Sequence, residues 1–177
     1  MGWTGIPNFD GGVKEQIQEV TAGYDVLKAQ KVGSVIYAAV RDEKSGEVWC
    51  LITLTDTNPR YHEFLYKSMS DSSGPHATSC PTSILDLLTE TDDPYATRWR
   101  AKAREVAAIK ARKLNKGDTI KIDEPIRFEG GDSFDTFRFL RQYSFLATDE
   151  AGNKTLVRLP KNWKTRYRWE MIEPSAQ

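Results

Sequence analysis

The stretch VGSVIYAAVRDEKSGEVWCLITLTDT, residues 32–57, decides the fold class of the N-terminal half of the chain. Two apolar, β-rich runs, at about 34–41 and 47–56, flank the tetrapeptide Glu43-Lys44-Ser45-Gly46. This arrangement is typical of a β-hairpin, because Ser and Gly are well suited to the backbone of a turn. Both runs are almost continuously apolar, so we expect both faces of the hairpin to be covered.

A helix is predicted before this hairpin. Val13, Ile17 and Val20 have the spacing of one helix face, and Tyr24 and Leu27 continue that spacing. The pattern therefore predicts a helix over about 12–22.

Three helices are predicted after the hairpin, and a firm break separates the first two. Asn58-Pro59 provides a cap and a first-turn proline, which predicts a helix to about Met69. Gly74-Pro75 would end that helix, and a second would begin near Pro81. We therefore expect the N-terminal half to be rich in helix around its hairpin.

The pattern changes after Asn115, where short β-type runs are separated by turn residues. Glu129-Gly130-Gly131 and residues 150–153 are the clearest turns. Several short strands in so few residues favour a small SH3-like barrel, and LPKNW at 159–163 resembles the helical turn that precedes its closing strand. The predicted fold is α+β: an N-terminal β-hairpin packed with several helices over 1–115, then a small SH3-like β-barrel over 116–177.

The net charge of zero hides an asymmetry between the two halves of the chain. Residues 1–97 carry 7 Lys and Arg against 14 Asp and Glu, whereas residues 98–177 carry 18 against 11. Opposed halves of this kind indicate charged partners. No apolar run approaches the roughly 20 residues needed to span a bilayer, and the N-terminus lacks a signal-peptide pattern, so we expect a cytoplasmic protein.

A basic helix is predicted over about 94–114, capped by Asp93 and with Pro94 in its first turn. Within residues 98–116, eight Lys and Arg accompany one Glu. Such a surface attracts phosphate backbones, although a solvated helix exterior would carry the same charges. The candidate binding residues, expected on the solvent faces, are Arg98, Arg100, Arg104, Lys110, Arg112 and Lys113.

A second basic run, NKTLVRLPKNWKTRYRW at 153–169, interleaves cations with aromatic residues. Aromatic rings among cations suit base stacking and phosphate contact. The alternation suits equally a sheet with aromatic residues inward and charges outward. Lys154 and Arg158 open this run, and its candidate binding residues are Lys161, Lys164, Arg166 and Arg168.

The main enzyme candidate is a nucleophilic Cys80, with His76 or His62 as base. Asp71 or Asp86 would orient that base. The alternative is that Cys80 is a small buried apolar residue at a helix start.

Acidic pairs such as Asp92-Asp93 and Asp123-Glu124 could bind Mg²⁺ or act as acid and base, but they lie at predicted caps and turns, where Asp is expected anyway. Signatures of catalytic cysteines, glycine-rich phosphate loops and metal-ligand spacings of Cys and His are all absent from the sequence. We therefore expect no catalytic residue, no metal and no cofactor.

The sequence resembles an uncharacterised family, a domain of unknown function, that is carried by bacteriophages and mobile elements. The resemblance is carried by the initial MGW and by the motif YKxMxDxxGPxxxxCPxxxLD. Its defining positions here are Tyr66, Lys67, Met69, Asp71, Gly74, Pro75, Cys80, Pro81, Leu85 and Asp86. We interpret the motif as architecture, with Gly74-Pro75 and Cys80-Pro81 marking element boundaries and Tyr66, Lys67 and Asp71 fixing the loop between them.

The resemblance implies a context in which small accessory proteins blunt nuclease-based host defences. The expected function is thus non-enzymatic binding and inhibition of a restriction-type or CRISPR-type nuclease, or of its nucleic-acid complex, in the cytoplasm of a bacterial host. An alternative is a module that binds DNA or RNA in phage replication or transcription.

Overall fold

The computed structural model describes residues 2–58, 63–74, 77–149 and 151–172. The chain forms two compact units, Met1–Ala107 and Ala108–Gln177, here called unit 1 and unit 2. The division between the units falls inside the helix Pro94–Ala111, whereas the sequence pattern predicted a boundary near residue 115.

Unit 1 is built on a five-stranded antiparallel sheet in the order β1-β5-β4-β3-β2. The predicted hairpin is confirmed, because β3 and β4 pair from Val35↔Leu54 to Arg41↔Val48. Asp42 fixes its turn, since its Oδ1 accepts the N–H groups of Lys44 at 2.9 Å and Ser45 at 2.7 Å. The strands are β1 Thr4–Ile6, β2 Asp25–Val32, β3 Val35–Arg41, β4 Val48–Asn58 and β5 Glu63–Ser70.

Both faces of the hairpin are buried, as its apolar runs indicate. Tyr37 and Ile52 lie in one apolar cluster, whereas Ile36 and Val40 lie in clusters on the other side. Successive strand residues point to opposite faces, so a strand covered on both sides must be apolar throughout.

The helix predicted from Asn58-Pro59 to Met69 is wrong. Residues Glu63–Ser70 form β5, which pairs with β4 on one side and with β1 on the other. Ladder bonds on two sides outweigh a local cap signal, because they satisfy nearly the whole backbone. Pro59 lies outside the described residues.

The helical spacing of apolar residues before the hairpin also continues beyond the end of the helix itself. The helix α1 covers Val13–Val20, and β2 follows at Asp25–Val32. Gly23 separates them with φ of +82°, a backbone conformation that glycine adopts without strain. Tyr24 and Leu27 therefore belong to a turn and a strand, and their helical spacing is fortuitous.

Two further helices complete unit 1. The short α2, Thr82–Leu85, starts directly after Pro81 as predicted, and α3 covers Pro94–Ala111. Asp93 caps α3, since its Oδ1 accepts the N–H groups of Tyr95 at 3.0 Å and Ala96 at 2.8 Å. Both helices bury residues in the cluster that also contains Tyr37 and Ile52.

Unit 2 is an open five-stranded antiparallel sheet in the order β10-β6-β7-β8-β9. The predicted SH3-like barrel is wrong, because β9 and β10 stay at opposite edges and no described strand closes the sheet between them. The pairing of β6 with β7 shifts register between Lys121 and Ile126. The elements are β6 Thr119–Arg127, β7 Ser133–Arg141, β8 Ser144–Thr148, β9 Lys154–Arg158, α4 Trp163–Arg166 and β10 Trp169–Ile172.

Aromatic side chains form the core of unit 2. Phe137, Phe145 and Trp163 are each at most 2% exposed and pack edge to face, with ring centroids 6.3 Å and 5.3 Å apart. The four-residue helix α4 carries Trp163 into this core, at the position where the sequence predicts a helical turn. None of the described helices combines the length and apolar character needed to cross a membrane.

Candidate functional site

The motif residue Asp71 forms a buried ion pair with Arg100 of α3. Arg100 Nε and Nη2 each lie 2.7 Å from Asp71 Oδ2, and Arg100 Nη1 donates to the carbonyl oxygen of Thr89. The two side chains are 9% and 2% exposed. This pair joins the end of β5 to α3 and is a structural contact inside unit 1.

Arg100 was expected on the solvent face of α3, and its burial corrects that expectation. The apolar stripe of α3 is narrow, and Arg100 lies beside the buried Trp99 and Ala103. Its carboxylate partner lies 29 positions away in sequence. An arginine can enter a core when its charge is paired and hydrogen-bonded, as here.

The other cations of α3 are exposed, as expected. Arg98 lies over the ring of Tyr95, with its guanidinium carbon 5.6 Å from the ring centroid. Arg104 donates from Nη2 to the carbonyl oxygen of Leu85 at 3.1 Å. Lys110 is also exposed.

Two buried thiols occupy the core of unit 1. Cys50 is fully buried and Cys80 is 2% exposed, and both belong to the cluster that contains Tyr37. The Cys80 thiol, together with burial, raises the pKa of Cys50 above the ordinary thiol value. A nucleophilic cysteine needs access to its substrate, and Cys80 is buried, so Cys80 has the surroundings of a packing residue. His62 and His76 lie outside the described residues.

The remaining motif residues lie in the framework of unit 1. Tyr66 and Lys67 belong to β5, where Tyr66 stacks on Phe64 with centroids 5.7 Å apart. Gly74 has a φ of +107°, which requires a residue without a Cβ. Pro81 and Asp86 flank α2 as its N-cap and C-cap residues, and Pro75 lies outside the described residues.

Two basic segments converge in unit 2. Lys164 of α4 donates from Nζ to the carbonyl oxygen of Arg112, which follows α3. The guanidinium carbon of Arg112 lies 5.4 Å from the ring centroid of Trp169 in β10. Trp169 Nε1 in turn donates to the carbonyl oxygen of Lys164 at 3.0 Å. We call Arg112, Lys113, Lys161, Lys164, Arg166 and Arg168 the basic surface.

The cations of the basic surface are exposed apart from the half-buried Lys164, whereas the two tryptophans beside them are buried. Lys113, Lys161 and Arg168 are exposed, while Trp163 and Trp169 are 2% and 9% exposed. Burial lowers the pKa of Lys164 from its ordinary value. The run thus has aromatic residues inward and cations outward, and these tryptophans are not placed for base stacking.

A groove that sequence reasoning did not anticipate lies along the edge strand β9. It has a volume of about 690 Å³ and is bounded by β9 on one side and by the end of β6 on the other. Phe128 and Tyr167 contribute aromatic lining. Arg127, Arg158 and Arg166 contribute positive charge, and Glu129 and Asp132 contribute negative charge. Arg127 and Arg158 are far apart in sequence, so no local sequence pattern could have shown that both line one groove.

Charge divides between the units in the same sense as between the halves of the sequence. Residues 1–107 carry 15 acidic and 11 basic side chains, whereas residues 108–177 carry 10 and 14. Lys121 and Asp135, 4.0 Å apart, form the one ion pair within the described part of unit 2. Over residues 2–58, 63–74, 77–149 and 151–172, no group of three or more His, Cys, Asp or Glu could hold a metal ion.

Comparison with known proteins finds one family. A family model described as a domain of unknown function (DUF6927) matches residues 90–170, which is less than half of the chain. The match covers all of α3 and all but the last two residues of the sheet of unit 2, and it does not reach the motif at 66–86. It is consistent with an uncharacterised family. No curated protein and no solved structure matches the chain.

Proposed function

We propose that the chain is a non-enzymatic binding protein whose unit 2 contacts the phosphate backbone of nucleic acid through the basic surface. The observation that supports this most is the contact between Arg112 and Lys164, which brings two basic segments of the sequence together. Exposed cations suit phosphate oxygens, and their binding is driven in part by the release of counterions from the nucleic acid.

The buried tryptophans favour backbone contact over base stacking. A surface of this kind discriminates poorly between sequences, because phosphate contacts position a protein without reading bases. Duplex DNA and structured RNA of any sequence are therefore the expected ligands.

A fluorescence anisotropy titration with a labelled 20-base-pair duplex at 50 mM salt tests the proposal. Binding should weaken as salt rises, with log K falling by about 0.9 per log unit of salt for each phosphate contact. The triple variant Lys113→Glu, Lys161→Glu, Arg168→Glu should abolish binding.

A matched control distinguishes the effect of losing the basic surface from the effect of an equal change in net charge. The variant Lys14→Glu, Lys28→Glu, Lys44→Glu changes exposed lysines of unit 1 and alters the net charge equally. If both triples weaken binding equally, or if the wild type does not bind at 50 mM salt, the proposal fails.

A second candidate function is antagonism of a nuclease-based host defence in a phage or mobile-element setting. The split charge favours it, because the acidic unit 1 could occupy a groove built for nucleic acid while unit 2 contacts nucleic acid itself. The test is a nuclease assay with purified restriction-type and CRISPR-type complexes. Dose-dependent inhibition supports this candidate, and uninhibited cleavage at saturating protein excludes it for the complex tested.

A further inference from the structure

Among the described strands, β9 of unit 2 pairs with β8 alone, so one row of its backbone groups has no strand partner there. The N–H of Leu159 donates to the carbonyl oxygen of Tyr143, and the N–H of Asp149 donates to that of Asn153, both at 3.0 Å. In an antiparallel ladder, alternate residues direct their backbone groups to the partner strand. The register of β8 with β9 therefore directs the N–H and C=O of Lys154, Leu156 and Arg158 to the free edge.

The side chains of the same three residues form a charged-apolar-charged row. Lys154 and Arg158 are exposed, and Leu156 is 67% exposed between them. The intervening residues Thr155 and Val157 point to the opposite face, where Val157 is 8% exposed. That face borders the groove lined by aromatic residues.

We propose that the free edge of β9 docks an extended acidic polypeptide segment as an additional antiparallel strand. Acidic residues of the segment lie opposite Lys154 and Arg158, and an apolar residue lies opposite Leu156. The two residues of the segment that alternate with these three place apolar side chains over the groove, beside Phe128 and Tyr167. This inference goes beyond the nucleic-acid proposal, because neither Lys154 nor Arg158 belongs to the basic surface.

Two other occupants of the edge, a second copy of β9 and nucleic acid, fit less well, the first because of charge and the second because of backbone hydrogen bonding. A second copy of β9 paired about Leu156 would set Lys154 directly opposite Arg158, and like charges in that position are destabilising. Nucleic acid would satisfy the charges, but it has no row of amide groups to pair with the strand. The combination of free backbone groups and flanking cations fits an acidic polypeptide.

The probe is the labelled peptide Ac-Thr-Glu-Val-Leu-Val-Glu-Thr-NH₂, titrated into the full chain at low salt. Its Glu and Leu residues direct their amides to β9, and its Val residues direct theirs away. N-methylation of both Glu residues and the Leu should weaken binding at least about tenfold, because it removes three ladder bonds. N-methylation of the two Val residues should leave binding nearly unchanged.

A charge exchange provides the second test. Lys154→Glu with Arg158→Glu should abolish binding of the acidic peptide and confer binding of the peptide in which both Glu are replaced by Lys. Both substitutions are at exposed positions, so thermal stability should stay close to that of the wild type.

Three results would overturn the proposal. The first is that the acidic peptide does not bind, and the second is that N-methylation at the Glu and Val positions has equal effects. The third is a dimer in solution that is broken by Leu156→Pro, which removes an amide from the free edge and would assign the edge to a second copy. None of these results depends on whether the Lys113, Lys161, Arg168 variant binds DNA, so the two proposals fail separately.

Discussion

Removing the guanidinium of Arg100 should destabilise unit 1 severely. Arg100→Met keeps most of the aliphatic stem but leaves the Asp71 carboxylate, whose side chain is 2% exposed, without its cation. Two contacts of 2.7 Å to Oδ2 and the bond to the Thr89 carbonyl are lost together. Breaking a buried pair from one side typically costs about 3–5 kcal/mol, and we expect a loss in that range.

The same reasoning predicts that removing both charges is less harmful than removing one. In the double variant Asp71→Leu with Arg100→Met, no charge remains buried, so the loss should be about 2 kcal/mol smaller than for Arg100→Met. The matched control is Lys102→Met in the same helix. Lys102 pairs with Glu105 at 2.8 Å, but both side chains are more than half exposed, so the change should stay within about 0.5 kcal/mol.

Pulsed thiol alkylation across a urea series measures these changes in unit 1 alone. Both cysteines of the chain are buried in unit 1, so their labelling reports its unfolding. The reasoning is refuted if Arg100→Met shifts the unfolding free energy no more than Lys102→Met does, or if the double variant is less stable than the single.

Three further predictions concern the core and the cap of α3. In the folded wild type, Cys50 and Cys80 should be alkylated at pH 8 only as fast as unit 1 opens; rapid labelling of Cys80 would restore the enzyme interpretation. Burial raises the pKa of Tyr37 above its ordinary value of 10.0, so the neutral form stabilises the fold below pH 10 and this stability is lost as pH rises further. Tyr37→Phe removes the hydroxyl that accepts the N–H of Ser79 at 3.1 Å, so it should be about 1 kcal/mol less stable than wild type at pH 7. Because only the wild type loses stability as Tyr37 ionises, the difference should narrow above pH 10; an equal difference at pH 7 and above pH 10 in urea unfolding contradicts this. Asp93→Ala should cost about 0.5–2 kcal/mol of unfolding free energy by loss of the cap, whereas the exposed Asp92→Ala should change it little.

The sequence predicts those parts of unit 1 that depend on local chemistry. The hairpin of 32–57 has turn residues and apolar runs next to each other, and α3 has Asp93 and Pro94 at its start. The strand Glu63–Ser70 was missed because its stability comes from two neighbouring strands rather than from its own residues. Local cap signals at Asn58-Pro59 therefore misled the assignment.

Closure of a sheet and pairing of charges are long-range properties. Short strands and turns indicate a small sheet after Asn115, but they do not state whether β9 reaches β10. The burial of Arg100 depends on Asp71, and the convergence of Arg112 with Lys164 joins residues 52 positions apart. The basic segments were identified from composition, whereas their meeting could be seen only in the fold.

An amide NMR titration of the full chain with a 12-base-pair duplex tests the binding account most directly. We predict that the largest shift changes fall on Arg112, Lys113 and the segment 164–168, and that they fade as salt rises. Changes confined to unit 1, or no changes at low salt, would contradict the account.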